Sequence, residues 1–148
     1  MRIVVGSDHA GWSLKGSIIE AVKRMGHEIH DVGSHSDEPG DFPDIARALT
    51  DQIKAGSADR GIMVCRTAVG ASIAANKVRG IRAAVCHDVH SAHQCVEHDD
   101  VNVMCIGAQI VGPWLANDLV ESYLQAQFST DEDCRRRVEK LHQMELSS

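Results

Sequence analysis

The stretch Gly61-Ile62-Met63-Val64-Cys65-Arg66-Thr67-Ala68-Val69-Gly70-Ala71-Ser72-Ile73-Ala74-Ala75-Asn76-Lys77 changes its pattern at Cys65. Up to that residue the chain is an apolar run, the signature of a strand covered on both faces. After it come the small residues Ala68, Gly70, Ala71 and Ser72, and apolar residues then resume at helical spacing. A strand that turns tightly into a helix leaves the first N–H groups of the helix unpaired, and these make an anion site. Cys65 stands at the turn, where the same amides and the helix dipole favour a thiolate. The stretch therefore offers a base or nucleophile beside a cradle for developing negative charge. It reads equally as a buried structural cysteine at a strand end, because unpaired cysteine is among the most buried residue types.

Working outward, residues 2–6 predict a short buried strand, and an amphipathic helix follows the polar step Ser7-Asp8-His9 and ends near Gly26, a natural C-cap. Residues 27–32 alternate and predict a second strand. Residues 33–43 form the longest loop, and a helix then runs to about Ala55. Beyond the opening stretch, residues 81–86 and 101–107 predict the fourth and fifth strands, with a helix over 88–97 between them. His98, Asp99 and Asp100 fall in the loop before the fifth strand. Pro113 begins another helix, at the position where its missing N–H costs nothing. Ser129, Thr130 and Asp131 supply capping residues for a last helix over about 130–145.

Strands alternating with helices predict an open, parallel, five-stranded sheet with helices on both faces, a Rossmann-like three-layer α/β sandwich. The ligand crevice of such sheets lies outside the carboxyl ends of the strands. Asp8 and His9 follow the first strand and Cys65, Arg66 and Thr67 end the third, so distant polar residues converge on one edge. Asp8 and His9 suit an acid/base pair, a carboxylate setting the tautomer of an imidazole that titrates near neutrality. They suit a helix N-cap and first turn as well.

At 148 residues and 43% hydrophobic, the chain is one domain, 1–148, with enough length for a proper core. Aromatic residues are only 3%, so that core must be built from Val, Ile, Leu, Ala and Met. A net charge of −6 argues against a nucleic-acid or anionic-membrane partner. No apolar run is long enough to span a bilayer, and no segment reads as a secretory signal. Five cysteines, 65, 86, 95, 105 and 134, are odd in number and mostly strand-like in setting, so reduced thiols of a cytoplasmic protein are expected. The histidines at 87, 90, 93 and 98 match no zinc spacing, and no metal or cofactor is expected.

Several segments, taken together, resemble ribose-5-phosphate isomerase type B, in the family that also holds the galactose-6-phosphate isomerase subunits. They are residues 6–11 (Gly-Ser-Asp-His-Ala-Gly), 41–43 (Asp-Phe-Pro), the block from Cys65 to Lys77, 80–83, His98 with Asn102, and Arg137 to Glu139. The resemblance implies metal-free interconversion of aldose and ketose phosphates through an enediol(ate), in homodimers, or tetramers, whose sites combine two subunits. It makes Cys65 the base between C1 and C2, and gives Thr67, Asp8 and His98 ring opening and the hydroxyl protons. His9 falls in the substrate pocket, and the N–H groups of 66–71, including those of Arg66, Ala68, Gly70 and Ala71, hold the enediolate oxygen. Arg137 grips phosphate, Asp99 touches substrate, and the last helix packs on the partner.

The chain departs from the family pattern at several of these places. The usual Cys-Gly-Thr-Gly is Cys65-Arg66-Thr67-Ala68, a frequent tyrosine is Phe42, and the asparagine after the catalytic histidine is Asp99. Two phosphate-gripping arginines are replaced by Gln109 and Asp133, leaving Arg137. A carboxylate about 5 Å from a phosphate charge costs roughly 3 kcal/mol at an effective dielectric of 20. One arginine contact returns about 1.5–3 kcal/mol. The expectation is an aldose–ketose isomerase whose substrate differs from ribose 5-phosphate. Its alternatives are an isomerase of an unphosphorylated or uronate-type sugar and a non-catalytic subunit of a hetero-oligomer.

Overall fold

The computed structural model describes all 148 residues. Five strands, β1 (Arg2–Ser7), β2 (Glu28–Asp31), β3 (Arg60–Cys65), β4 (Ala83–Val85) and β5 (Val103–Gly107), form one parallel sheet in the order β2-β1-β3-β5-β4. The helices are α1 (Trp12–Arg24), α2 (Phe42–Lys54), α3 (Val69–Asn76), α4 (Val89–Asp99), α5 (Pro113–Gln125) and α6 (Glu132–Leu146). The expected three-layer sandwich is therefore observed. None of these helices is long and apolar enough to cross a membrane.

Strand β3 lies at the centre because both its faces are apolar, and period-two alternation divides its side chains between two cores. Ile62 and Val64 join Ile3, Val5, Met104 and Ile106 beneath α1, α4 and α5. Met63 and Cys65 join Val4, Val103 and Cys105 beneath α2 and α3. The sulfur of Cys65 is thereby turned toward the face on which α3 begins. Tyr123 is wholly buried, and its hydroxyl donates to the Gly61 carbonyl at 3.3 Å, which satisfies the only phenol in the chain.

Element ends differ from the sequence reading where hydrogen bonding, not hydropathy, decides. β4 is three residues because it is an edge strand paired only with β5. His98 and Asp99 are not in a loop but in the last turn of α4, which closes on Asp100 in the left-handed region at φ +50°. The predicted C-cap Gly26 is left-handed, at φ +83°, and Asp131 caps α6 by accepting the Asp133 N–H. α6 lies on α4, with Cys134 and Val138 buried and Leu141, Met144 and Leu146 exposed.

Candidate active site

The strand order reverses direction about β1 and β3. α1 leaves β1 for one face and α3 leaves β3 for the other, so the two connecting turns part and open a crevice at the carboxyl edge. The cleft found there is about 560 Å³ and is lined by Asp8, His9, Cys65, Arg66, Thr67 and Gly70, with residues 40–44 as its outer wall.

The floor is the turn between β3 and α3. Cys65 is buried, and its Sγ receives the Ala68 N–H at 3.2 Å. The Val69 N–H turns to the Thr67 hydroxyl at 3.4 Å. The N–H groups of Arg66, Thr67, Gly70 and Ala71 have no acceptor within the chain. These are donors left over by the helix start, beside a sulfur that already holds one. Ala68 and Ala71 are themselves buried behind the turn, so the expectation that Ala68 donates to substrate changes: its amide serves the thiol. Ala68 sits at φ +71°, where a Cβ is costly by about 1–2 kcal/mol. A glycine is usual for such a turn, and this strain lies in the floor of the cleft.

Asp8 is buried and its Oδ1 accepts the Gly11 N–H at 3.0 Å, which fixes the carboxylate as α1 begins. His9 Nδ1 accepts the Gly40 N–H at 3.3 Å, which leaves the ring proton on Nε2. The wall is anchored at its base by the buried Lys15, which pairs with Asp31 at 2.9 Å and donates to the Ser34 carbonyl. The ring of Phe42 covers Gly70 so closely that a Cβ there would lie 2.7 Å from Cζ. The polar lining thus counts the carboxylates of Asp8, Asp41 and Asp44 against one guanidinium, Arg66, which is exposed.

The sequence reading did not assign Asp41 and Asp44 to the site. The signal was available: a loop that follows a strand of a parallel sheet starts at the carboxyl edge, so residues 33–43 were bound to meet its rim. Cys105, wholly buried one strand away, is kept a thiol because burial pushes its pKa up. No three His, Cys, Asp or Glu side chains converge to hold a metal ion.

Three of the expected site residues are elsewhere within the chain. His98 and Asp99 end α4 at the amino edge of the sheet, separated from Cys65 by the length of β5, roughly 15 Å. Asp99 lines a separate groove with Arg82, Leu141, His142 and Glu145. Arg137 is exposed on α6, which packs on α4 and whose His142 and Glu145 meet Arg82 and Gly80 at that edge. The side chain of none of the three has a hydrogen-bonded partner in its own chain. Asp133 is paired with Arg136 at 2.6 Å, which holds its carboxyl below the usual carboxylate range.

The model of the ribose/galactose isomerase family matches residues 3–141. Ribose-5-phosphate isomerase B of Escherichia coli is 39% identical over 144 residues, which is 97% of this chain and 96% of that protein. D-erythrulose-4-phosphate isomerase of Pectobacterium atrosepticum is 37% identical over 86% of this chain and 85% of its own. The structure of ribose-5-phosphate isomerase B from Clostridium thermocellum superposes with a TM-score of 0.95 at 42% identity, covering 99% of both chains. A parallel sheet of the same design, with a thiol and free amides at its switch point and matches along nearly its whole length, makes this chain a member of the ribose/galactose isomerase family and an aldose–ketose sugar isomerase.

Proposed function

We propose that Cys65 is the base of this isomerase and that its substrate is a small sugar phosphate other than ribose 5-phosphate. The observation that carries the reading is one buried thiol on a turn whose remaining amides, at Arg66, Thr67, Gly70 and Ala71, are unpaired. The thiolate removes the proton from C2 of the open-chain aldose, and the electron pair moves toward O1. The free amides receive the enediolate oxygen; one such donor is commonly worth about 10²–10³ in rate. Cys65 then returns a proton to C1, while Asp8, His9 and Thr67 move the hydroxyl proton from O2 to O1. Each proton removed is returned, so the step needs no redox partner.

In this reading His98 and Arg137 act in the site of a second copy, and Asp99 beside His98 approaches the same substrate. Their distance from Cys65 within one chain and their lack of partners support such a shared homodimer. So do Val69 and Ile73, which lie one turn apart on α3 and are both more than half exposed. The phosphate end is held by Arg66 and by the partner copy's equivalent of Arg137. Gln109, whose N–H donates to the Arg66 carbonyl at 3.1 Å, adds no charge there, and Asp133 is already paired. Asp41 and Asp44 repel a phosphate from the opposite wall. The P. atrosepticum relative, whose name specifies a four-carbon ketose phosphate, shows that ribose 5-phosphate is not the only substrate in this family.

The test is kcat/KM for ribose 5-phosphate beside a panel of three- to six-carbon sugar phosphates and free sugars. A ribose 5-phosphate value below about 10⁴ M⁻¹s⁻¹, exceeded by another sugar phosphate, is expected. A value at or above it overturns the substrate reading. A free sugar as best substrate would favour the isomerase of an unphosphorylated sugar, for which the carboxylate-rich wall is the supporting observation.

A further inference from the structure

His87 follows β4, and the mechanism above gives it no part. Its Nε2 accepts the Gly107 N–H at 2.9 Å, so the ring proton sits on Nδ1. Gly107 is the last residue of β5 and is paired in register with Cys65. The next two amides, of Ala108 and Gln109, donate to the carbonyls of Cys65 and Arg66 at 2.8 and 3.1 Å. A Cβ on Gly107 would lie 2.9 Å from the Cα and carbonyl carbon of Thr67, so the two backbones are in contact. Residues 107–109 thus form a rail for the catalytic turn, and His87 holds its first amide from the β4 side.

We propose that His87 is a positioning residue: neutral, it fixes Gly107 and through it the turn carrying Cys65, Arg66 and Thr67; protonated, it releases that amide. The kinetic part rests on the isomerase reading. His87 is half-buried, and burial lowers its pKa from the ordinary imidazole value. The carboxylate of Asp88 opposes this, but it is engaged by the N–H and hydroxyl of Ser91 at 2.7 and 2.8 Å. Around the ring, β5 contributes the Gly107 amide, and the Asp88 carboxylate is the one charged group that acts on it. Because the folded state depresses the pKa, the hydrogen bond is fully present above about pH 6.5 and is lost as the pH falls through the lower folded value.

The test has an arm that needs no substrate. In NMR spectra of the unsubstituted protein, the Gly107 amide should titrate in one step below about pH 6.5. The step should vanish in His87→Gln, whose carboxamide accepts a hydrogen bond without titrating. A Gly107 amide that stays flat from about pH 7.5 to 5 overturns the proposal. In kinetics, His87→Ala should lower kcat about ten- to a hundredfold with KM within about twofold. His87→Gln should recover most of that loss and decline less in acid than the parent. A His87→Ala protein with reduced Tm and unchanged kcat, or a His87→Gln protein with the parent's acid limb, overturns it too. A chain that isomerises no sugar phosphate would end the isomerase reading and leave the amide titration standing as its own result.

Discussion

The two edges of the sheet treat their polar residues in opposite ways. At the amino edge nearly every group is satisfied. Arg82 donates to the Asp100 carbonyl and carboxylate at 2.7 and 3.0 Å and approaches His142 at 3.1 Å. The Asn102 side chain bridges the Arg82 amide and the Gly80 carbonyl, and Glu145 takes the Gly80 N–H. At the carboxyl edge, amides are left without acceptors, Arg66 is unpaired, and Asp41 caps α2 without its side chain bonding the helix. Density of charge does not make a site; groups left over by the fold do, because an unmade hydrogen bond is what a ligand can supply. By that measure His98, Asp99 and Arg137 are the exceptions at the amino edge.

The largest effect expected is at the satisfied thiol. Cys65→Ala should reduce turnover by at least about 10³-fold while changing substrate affinity only a few-fold, measured as solvent deuterium exchange at C1 or C2 and as ligand binding. Ordinary turnover would move the base elsewhere and break the contrast between the edges.

Mixing subunits joins the two edges in one measurement. If His98 serves the partner copy's Cys65, a Cys65→Ala and His98→Ala pair that exchanges subunits at random should regain about one quarter of the parent activity. Half of the dimers are then mixed, and each mixed dimer has one intact site. Mixed dimers that form and stay inactive would return each site to a single chain.

Arg137→Ala should raise KM about 10- to 100-fold with kcat nearly unchanged, the loss of one charge-assisted contact worth about 1.5–3 kcal/mol. An unchanged KM would show that the phosphate is held at the carboxyl edge alone, by Arg66.

The smallest effect separates strain from packing in the floor. Ala68→Gly relieves about 1–2 kcal/mol of left-handed strain but loses a buried methyl, about 0.8 kcal/mol, and adds glycine's flexibility, about 0.5–1 kcal/mol. Stability from urea unfolding should therefore change by less than about 1 kcal/mol. Ala75→Gly, equally buried but right-handed in the last turn of α3, has no strain to relieve and should cost about 1–2 kcal/mol. Equal losses would mean that Ala68 is unstrained.

From its residues alone the chain determines the layers, the central strand and the edge on which Cys65 meets Asp8 and His9. Those follow from periodicity and from the rule that parallel strands point one way, both of which are local or topological. Sequence similarity determines the family in the same direct manner. Only the tertiary structure decided which donors remain free. The Ala68 amide turns to Cys65 Sγ, the Gly107 amide turns to His87, and Asp133 is held by Arg136. The structure alone also set His98 and Asp99 a full strand length from the thiol. Hydrogen-bond partners and edge assignments of helix ends depend on distances between segments remote in sequence, and no periodicity encodes them.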